Sequence, residues 1–252
     1  MKTLITGASS GIGLELARIF ARERSDLVLV ARGKQKLDEV AAELRNSGVQ
    51  VQVLAKDLAW AGAPDEIQRE AGPVDVLVNN AGFGSFGEFA GTPLTEDLNL
   101  MRVNMEALVS LSKLFLPGMI QARSGRILNV ASTAAFQPGP LMALYYASKA
   151  FVLSFSEAIA NELHGTGVTV TVLCPGPTET DFQRRANMDE SGLVKRLGAM
   201  DARTVAEAGY RGLMSGKTIV IPGMKNRMLA ESVRFAPRKL VTAITRKMQD
   251  RV

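Results

Sequence analysis

The sequence predicts an α/β fold, a doubly wound parallel sheet of about seven strands in a single domain, followed by a helical tail. Three observations predict it. Short β-rich runs alternate with helix-period segments along the chain. The runs are apolar or β-branched throughout, as in Val168–Leu173, the pattern of strands covered on both faces. No composition break, internal repeat or low-complexity stretch marks a second unit before the tail.

The expected strands are Lys2–Thr6, Asp26–Ala31, Val49–Leu54, Val74–Asn79, Arg126–Ala131, Val168–Leu173 and Thr218–Ile221. Helical periodicity places Ile12–Glu23, Lys34–Asn46, Pro64–Glu70, Leu94–Gln121, Leu144–His164 and Thr204–Met214 between and after them. Thr178–Asp201, polar and charged after a Pro-Gly-Pro turn, reads as a loop or lid. On such a sheet ligands bind at the carboxyl ends of the strands, near the reversal of strand order. Thr6, Asn79, Ser132 and Pro175 each fall at or just past a strand end.

Bulk properties narrow the function classes. At 252 residues the chain fits one α/β domain and is long enough to bury a sizeable core. No stretch approaches about 18 uninterrupted apolar residues, so no membrane-spanning helix is expected. The start runs straight into a strand and leaves no room for a signal peptide, so a cytoplasmic protein is expected. One cysteine, Cys174, excludes an internal disulfide and reads as a small apolar filler. One histidine, His164, removes most metal sites and reads as a helix-end surface residue. Net charge is +5, but residues 224–252 hold eight cations against Glu231 and Asp250, a net +6, which leaves the first 223 residues at −1. With one aromatic in that tail and no recognition motif, nucleic-acid binding is not expected.

Three local patterns carry chemistry. Thr-Gly-Ala-Ser-Ser-Gly-Ile-Gly, residues 6–13, follows the first strand and opens the first helix. Gly7, Gly11 and Gly13 let backbone approach a pyrophosphate, and the helix N-terminus offers free N–H groups, so this is the seat of a dinucleotide in a Rossmann-like fold. The second strand ends Val30-Ala31-Arg32-Gly33-Lys34. An acid there would bond a ribose 2′-hydroxyl; its absence, and Arg32 in its place, favour a 2′-phosphate and hence NADP(H). Finally, Tyr145 and Lys149 stand four residues apart, just over one helical turn, thirteen residues after Ser132. A phenol and an ammonium on one helix face make a tuned acid, since a nearby cation favours phenolate. Tyr146, three residues before Lys149, also lies within its reach, so the residues alone leave the choice between the two tyrosines open.

Together these residues make the chain resemble a short-chain dehydrogenase/reductase of the short, single-domain form, over Lys2 to about Gly223. The matching motifs are Thr6–Gly13, Asp57-Leu58, Asn79-Asn80-Ala81-Gly82, Asn104, Ser132, Tyr145–Lys149 and Pro175-Gly176. The resemblance implies an oxidoreductase in which Ser132 orients the substrate oxygen, Tyr145 exchanges its proton, Lys149 holds ribose hydroxyls and Asn104 kinks its helix to seat a water near Lys149. It implies cofactor contacts at Gly7, Ser9, Ser10, Gly11, Ile12, Gly13, Arg32, Asp57, Leu58, Asn79, Ala81, Gly82, Pro175, Gly176, Thr178 and Thr180, with Tyr145 and Lys149 shared. The resemblance also implies a homodimer or homotetramer through the helix bearing Tyr145, whose small residues permit close packing; packing against its own sheet is the alternative. Two other roles would use such a fold. A silent dinucleotide-binding regulator or scaffold would not need the intact Ser132, Tyr145 and Lys149, and a nucleotide-sugar epimerase would need a larger substrate domain. No motif in Ala134–Leu144 or Thr178–Asp201 identifies the substrate.

Residues 224–252 extend beyond the shortest chains of that kind. Their apolar positions predict two short amphipathic helices around Pro237, with cations on the other face. Apolar positions need burial, so docking on the body is expected; covering the substrate cleft or touching an anionic membrane are the other roles open to such a tail.

Overall fold

The computed structural model describes residues 1–182, 186 and 198–250. Seven parallel strands form one sheet: β1 (Lys2–Thr6), β2 (Asp26–Ala31), β3 (Val51–Ala55), β4 (Val76–Asn79), β5 (Gly125–Val130), β6 (Val168–Leu173) and a two-residue final strand, Ile219–Val220. Their order is β3-β2-β1-β4-β5-β6 and then the final strand, so the order reverses between β1 and β4. Thr3 pairs with Leu27 on one side and Val76 on the other, which opens a crevice above the carboxyl ends of β1 and β4.

Helices cover both faces, and the pattern of apolar residues explains which helix takes which face. On one face α1 (Gly11–Arg22) and α2 (Lys34–Arg45) bury Leu16, Phe20, Leu37 and Val40 against the sheet. Phe20 meets Tyr210 edge-on at 5.2 Å between ring centroids, tying α1 to a later helix, Ala202–Met214, on the same face. On the other face α3 (Ala63–Ala71) contributes Ile67 to a second core with Leu111, Phe115 and Leu163.

The long apolar run expected as one helix is three pieces. α4 (Leu94–Met101) passes into a π-helical turn, Arg102–Glu106, and then α5 (Ala107–Gln121). A π turn inserts one residue into the helical repeat, which periodicity of apolar residues cannot register. By length and composition alone Leu94–Gln121 is apolar enough to cross a membrane, a test that buried core helices also pass. In the fold its Ala107, Leu111, Phe115 and Met119 face the sheet core. α6 (Ala143–Glu162) follows β5 and carries Tyr145 and Lys149.

The segment expected as a loop contains structure at its ends. Thr178–Glu179, here β7, pairs in parallel with Met200–Asp201, β8, away from the main sheet; the final sheet strand, Ile219–Val220, is β9. Most of the residues between β7 and β8 lie outside those described. Asp201 then caps α7 (Ala202–Met214), its Oδ1 accepting from Arg203 N at 2.9 Å and Thr204 N at 3.1 Å. Bonding to Thr204, above all, holds that carboxyl below its ordinary range. The tail forms α8 (Met224–Ser232) and α9 (Arg238–Gln249) with a 3₁₀ turn, Val233–Phe235, between them.

Candidate active site

Above the crevice lies a cavity of about 1230 Å³. Its floor is the glycine turn after β1. Gly7 and Gly11 have φ of 66° and 57°, the left-handed region that glycine enters without strain. A Cβ on Gly7 would sit 2.7 Å from Asn80 Nδ2, and one on Gly11 would sit 2.9 Å from Thr180 Cγ2. The turn is therefore a cradle that only glycines leave open. Gly13 has another duty: it is buried under the turn, where a Cβ would strike Gly7 O and Asn80 Nδ2, and it does not reach the cavity.

Thr6 fixes this floor to the next strand. Its hydroxyl donates to Val78 O at 3.2 Å and accepts from Asn80 N and Ala81 N, each at 3.0 Å. Asn80 Nδ2 donates to Thr6 O at 2.9 Å. Of the cofactor residues expected from the resemblance, Gly7, Ser9, Ser10, Gly11, Ile12, Arg32, Asp57, Leu58, Ala81, Gly82, Pro175, Gly176, Thr178 and Thr180 line the cavity, as do Tyr145 and Lys149. Asn79 does not. Its amide turns into the interior, donating to Ser112 Oγ at 3.1 Å and Asn129 Oδ1 at 2.9 Å, while Asn129 donates to Ser156 Oγ at 2.9 Å. Alternation along a strand end sends neighbours to opposite faces, and it is Asn80 that faces the cavity.

At the end of β2, Arg32 lines the cavity together with Lys36. The other cation noted in the sequence, Lys34, is instead paired outward with Asp38 at 2.7 Å. Lys56 also borders the space, but Glu66 and Glu70 hold its ammonium at 2.6 and 2.7 Å and raise its pKa. The end of β2 thus offers one guanidinium and one ammonium and no acid of its own, while Asp57, just after β3, also borders the cavity.

The reacting end is built by β5 and α6. Ser132 begins a short 3₁₀ turn, Thr133–Phe136; its Oγ accepts from Ala134 N at 3.1 Å and donates to Pro175 O at 3.4 Å. Tyr145 borders the cavity on the same side, close enough to Ser132 for that hydroxyl to act on its phenol. Lys149, buried one turn further along α6, donates from Nζ to Val130 O at 2.9 Å and lies 5.8 Å from the centre of the Tyr145 ring. A Cβ on Gly82 would sit 3.1 Å from Asn104 Oδ1 and 3.4 Å from Lys149 Nζ, so glycine there keeps space beside the ammonium. Gly84, which the sequence reading passed over, does the same for the phenol: a Cβ there would lie 2.9 Å from Met142 Cε and Phe182 Cζ and 3.4 Å from Tyr145 Cδ2.

Asn104 sits in the π turn, buried, and does not border the cavity. Its Oδ1 accepts from Phe83 N at 3.1 Å, and its Nδ2 donates to Phe83 O and Ser148 Oγ, both at 3.0 Å. The bulge thereby clamps the loop after β4 to the helix that bears Tyr145 and Lys149.

Electrostatics departs from the expectation of a lowered phenol pKa. Burial pushes the Tyr145 phenol above its ordinary value, opposed by the nearby Ser132 hydroxyl, so like an unshifted phenol it is protonated at neutral pH. Burial also pulls Lys149 down to about 8. For both groups the cost of burial outweighs their proximity. Cys174, buried behind Pro175, is pushed up to about 12 by the same effect and is an inert filler. His164 is exposed at the end of α6.

The tail supplies the remaining wall, which motif reading did not anticipate residue by residue. Asn226, Leu229, Val233, Ile244, Thr245 and Met248 all border the cavity. α9 is latched by Gln249, whose Nε2 donates to Tyr146 Oη at 2.6 Å in a buried setting. Amphipathic spacing was the signal for these residues, but it could not say which face turned inward.

Comparison with known proteins agrees with this architecture. The short chain dehydrogenase family model matches residues 2–191. Ketoacyl reductase HetN of Nostoc sp. is 33% identical over 223 residues, covering 86% of this chain and 77% of that protein. A short-chain dehydrogenase from Sphingobium yanoikuyae, solved in complex with NADPH, superposes with a TM-score of 0.85 at 34% identity, covering 95% of this chain and 94% of that one. A short-chain dehydrogenase/reductase from Burkholderia phymatum in complex with NAD shares the fold, with a TM-score of 0.83 at 23% identity over 100% of this chain and 97% of that one. A glycine cradle at the reversal of strand order, matched along most of its length by these relatives, settles the kinship: this chain belongs to the short-chain dehydrogenase family of oxidoreductases.

Proposed function

We propose that this oxidoreductase reduces the carbonyl group of a small molecule with NADPH, and runs the reverse oxidation with NADP⁺, through Ser132, Tyr145 and Lys149. The observation that carries the reading is the placing of Ser132, Tyr145 and Lys149 together on the cavity wall, with Lys149 one helical turn beyond the phenol. The glycine cradle fits a dinucleotide pyrophosphate, with α1 directing its N-terminal N–H groups at it. Arg32 and Lys36 fit a 2′-phosphate, and no acid lies at the end of β2 to favour a free ribose hydroxyl. The NADPH complex of the Sphingobium relative supports the same choice.

When bound, the nicotinamide supplies or accepts the hydride at the substrate carbon. The protein handles the proton. Ser132 Oγ holds the substrate oxygen beside the phenol. Tyr145 Oη, protonated at neutral pH, gives its proton to that oxygen in reduction and takes one back in oxidation. Lys149, buried and anchored to Val130 O, places a positive charge near the phenolate left behind. Asn104 holds the helix and the Phe83 loop in register for this exchange.

Tyr145→Phe removes the transferable proton and keeps the ring against Phe182. NADPH-dependent turnover of aldehydes and ketones should fall about 10²–10⁴-fold, with NADPH binding largely kept. Tyr146→Phe should remain active. If Tyr146→Phe is dead and Tyr145→Phe active, the assignment is wrong.

A further inference from the structure

The outer surface of the tail has no part in this chemistry. Inward, α8 and α9 bury Ala230, Val241 and Thr245, and Gln249 is bonded to Tyr146. Outward, they hold large apolar side chains in the open: Phe235 is 89% exposed, Met224 74%, Met228 66% and Leu240 52%. Met224 and Met228, four residues apart, share a face of α8. Phe235 stands at the corner between the two helices, and exposed Arg234, Arg238 and Lys239 flank it in sequence.

The charge of this corner indicates what covers it. The tail carries +6 against −1 for the other 223 residues. A symmetric contact with a second copy through the corner would set Arg234, Arg238 and Lys239 against their own images. An anionic lipid surface offers the opposite charge to those cations. It also takes large apolar side chains at the boundary of headgroup and acyl chain, while arginine and lysine stems reach back to the phosphates.

We propose that the corner between α8 and α9 is a docking surface for an anionic bilayer, with Phe235 and Leu240 entering the interface and Arg234, Arg238 and Lys239 on the headgroups. Val233 and Ala236, the neighbours of this corner in the chain, border the cavity, so bilayer contact lies beside the cavity wall. The inference goes beyond the reaction proposed above and does not rest on it.

Sedimentation of the full-length protein with phosphatidylcholine vesicles, alone or mixed with phosphatidylglycerol, tests it. Binding should occur on the mixed vesicles only and be released by salt. Arg238→Gln and Lys239→Gln should each weaken it about fivefold, and Phe235→Ser about tenfold or more, with melting unchanged because these side chains are exposed. In Phe235→Trp, fluorescence should shift to the blue on mixed vesicles by more than the change that Trp60 gives in the wild type, a readout that needs no loss of binding. The proposal is overturned if the protein ignores mixed vesicles at low salt, binds both compositions alike, or binds unchanged after Phe235→Ser. It is also overturned if sedimentation velocity shows self-association through the tail that Phe235→Ser abolishes, since a second copy then covers the corner.

Discussion

Lys149→Met should make the protein more stable at neutral pH while abolishing turnover. The amine of Lys149 has an ordinary pKa of 10.5, and burial lowers it to about 8 in the fold. Between those values the unfolded chain binds more protons than the native one, so stability rises with pH across that window. Below it the buried ammonium costs stability in full. The shift corresponds to about 3 kcal/mol at pH near 7, of which about 1 kcal/mol remains at pH near 10. The bond from Nζ to Val130 O, 2.9 Å long, returns part of this cost, about 1.5–3 kcal/mol for a charged donor. Methionine removes both terms and keeps a similar volume. The stability gained over wild type should therefore be small near pH 7, and the difference between the two proteins should move by about 2 kcal/mol in favour of wild type by pH near 10. Urea unfolding of both proteins at matched pH measures it, because other titrating groups cancel in the difference. A gap that stays constant across this range, or moves the other way, refutes a desolvated ammonium at this position.

The cofactor reading predicts that Arg32→Ala weakens NADPH affinity by about 1.5–3 kcal/mol and Lys36→Ala by less, with NADH affinity barely changed; isothermal titration with both cofactors decides it, and wild type that binds NADH as tightly as NADPH overturns it. Gly13→Ala should cost at least about 1–3 kcal/mol, because its Cβ meets two fixed atoms of the turn, Gly7 O and Asn80 Nδ2. Gly33→Ala, whose nearest neighbour would be Lys36 Cβ at 4.0 Å, is the comparison that should melt near wild type. Tyr146→Phe should cost about 1–3 kcal/mol by orphaning the Gln249 amide, whose Oε1 already has no partner. Adding Gln249→Leu should recover part of that loss, which thermal melts of the single and double variants will show.

The parts of the fold that were legible are those where local and tertiary signals agree. β1, its glycine turn and α1 can be read directly, since an apolar strand, left-handed glycines and an amphipathic helix all require the same geometry. The readings that missed were matters of phase. Asn79 and Asn80 are the same residue type one position apart, and only the pleat decides that Asn79 joins the Ser112 and Asn129 network while Asn80 meets the cavity. Lys34 and Lys36 differ by two positions on a helix, enough to send one to Asp38 and the other to the cavity. Periodicity alone does not show the π turn at Asn104, because one extra residue leaves composition unchanged and rotates everything after it; the kink was legible only through the family resemblance. The lowered phenol pKa failed on environment. Spacing puts a cation near Tyr145, but only the fold shows that both groups are buried and that burial outweighs their proximity.

Phase also gives adjacent tyrosines different work. Successive residues on a helix point about 100° apart, so Tyr145 reaches Ser132 while Tyr146 turns to Gln249. The proposed proton donor and the anchor of the tail are thus the same helical turn. α9, which contributes Ile244 and Met248 to the cavity wall, is fixed to that turn by a buried bond of 2.6 Å. A substrate that pushes this wall outward must strain the bond to Tyr146, and a tail released from Tyr146 must open the cavity beside Tyr145. The size of substrate accepted and the order of the tail should therefore be coupled, with Tyr146 one anchor beside the buried Ala230 and Val241. Tyr146→Phe should loosen both together, widening the range of ketones reduced without slowing the small ones.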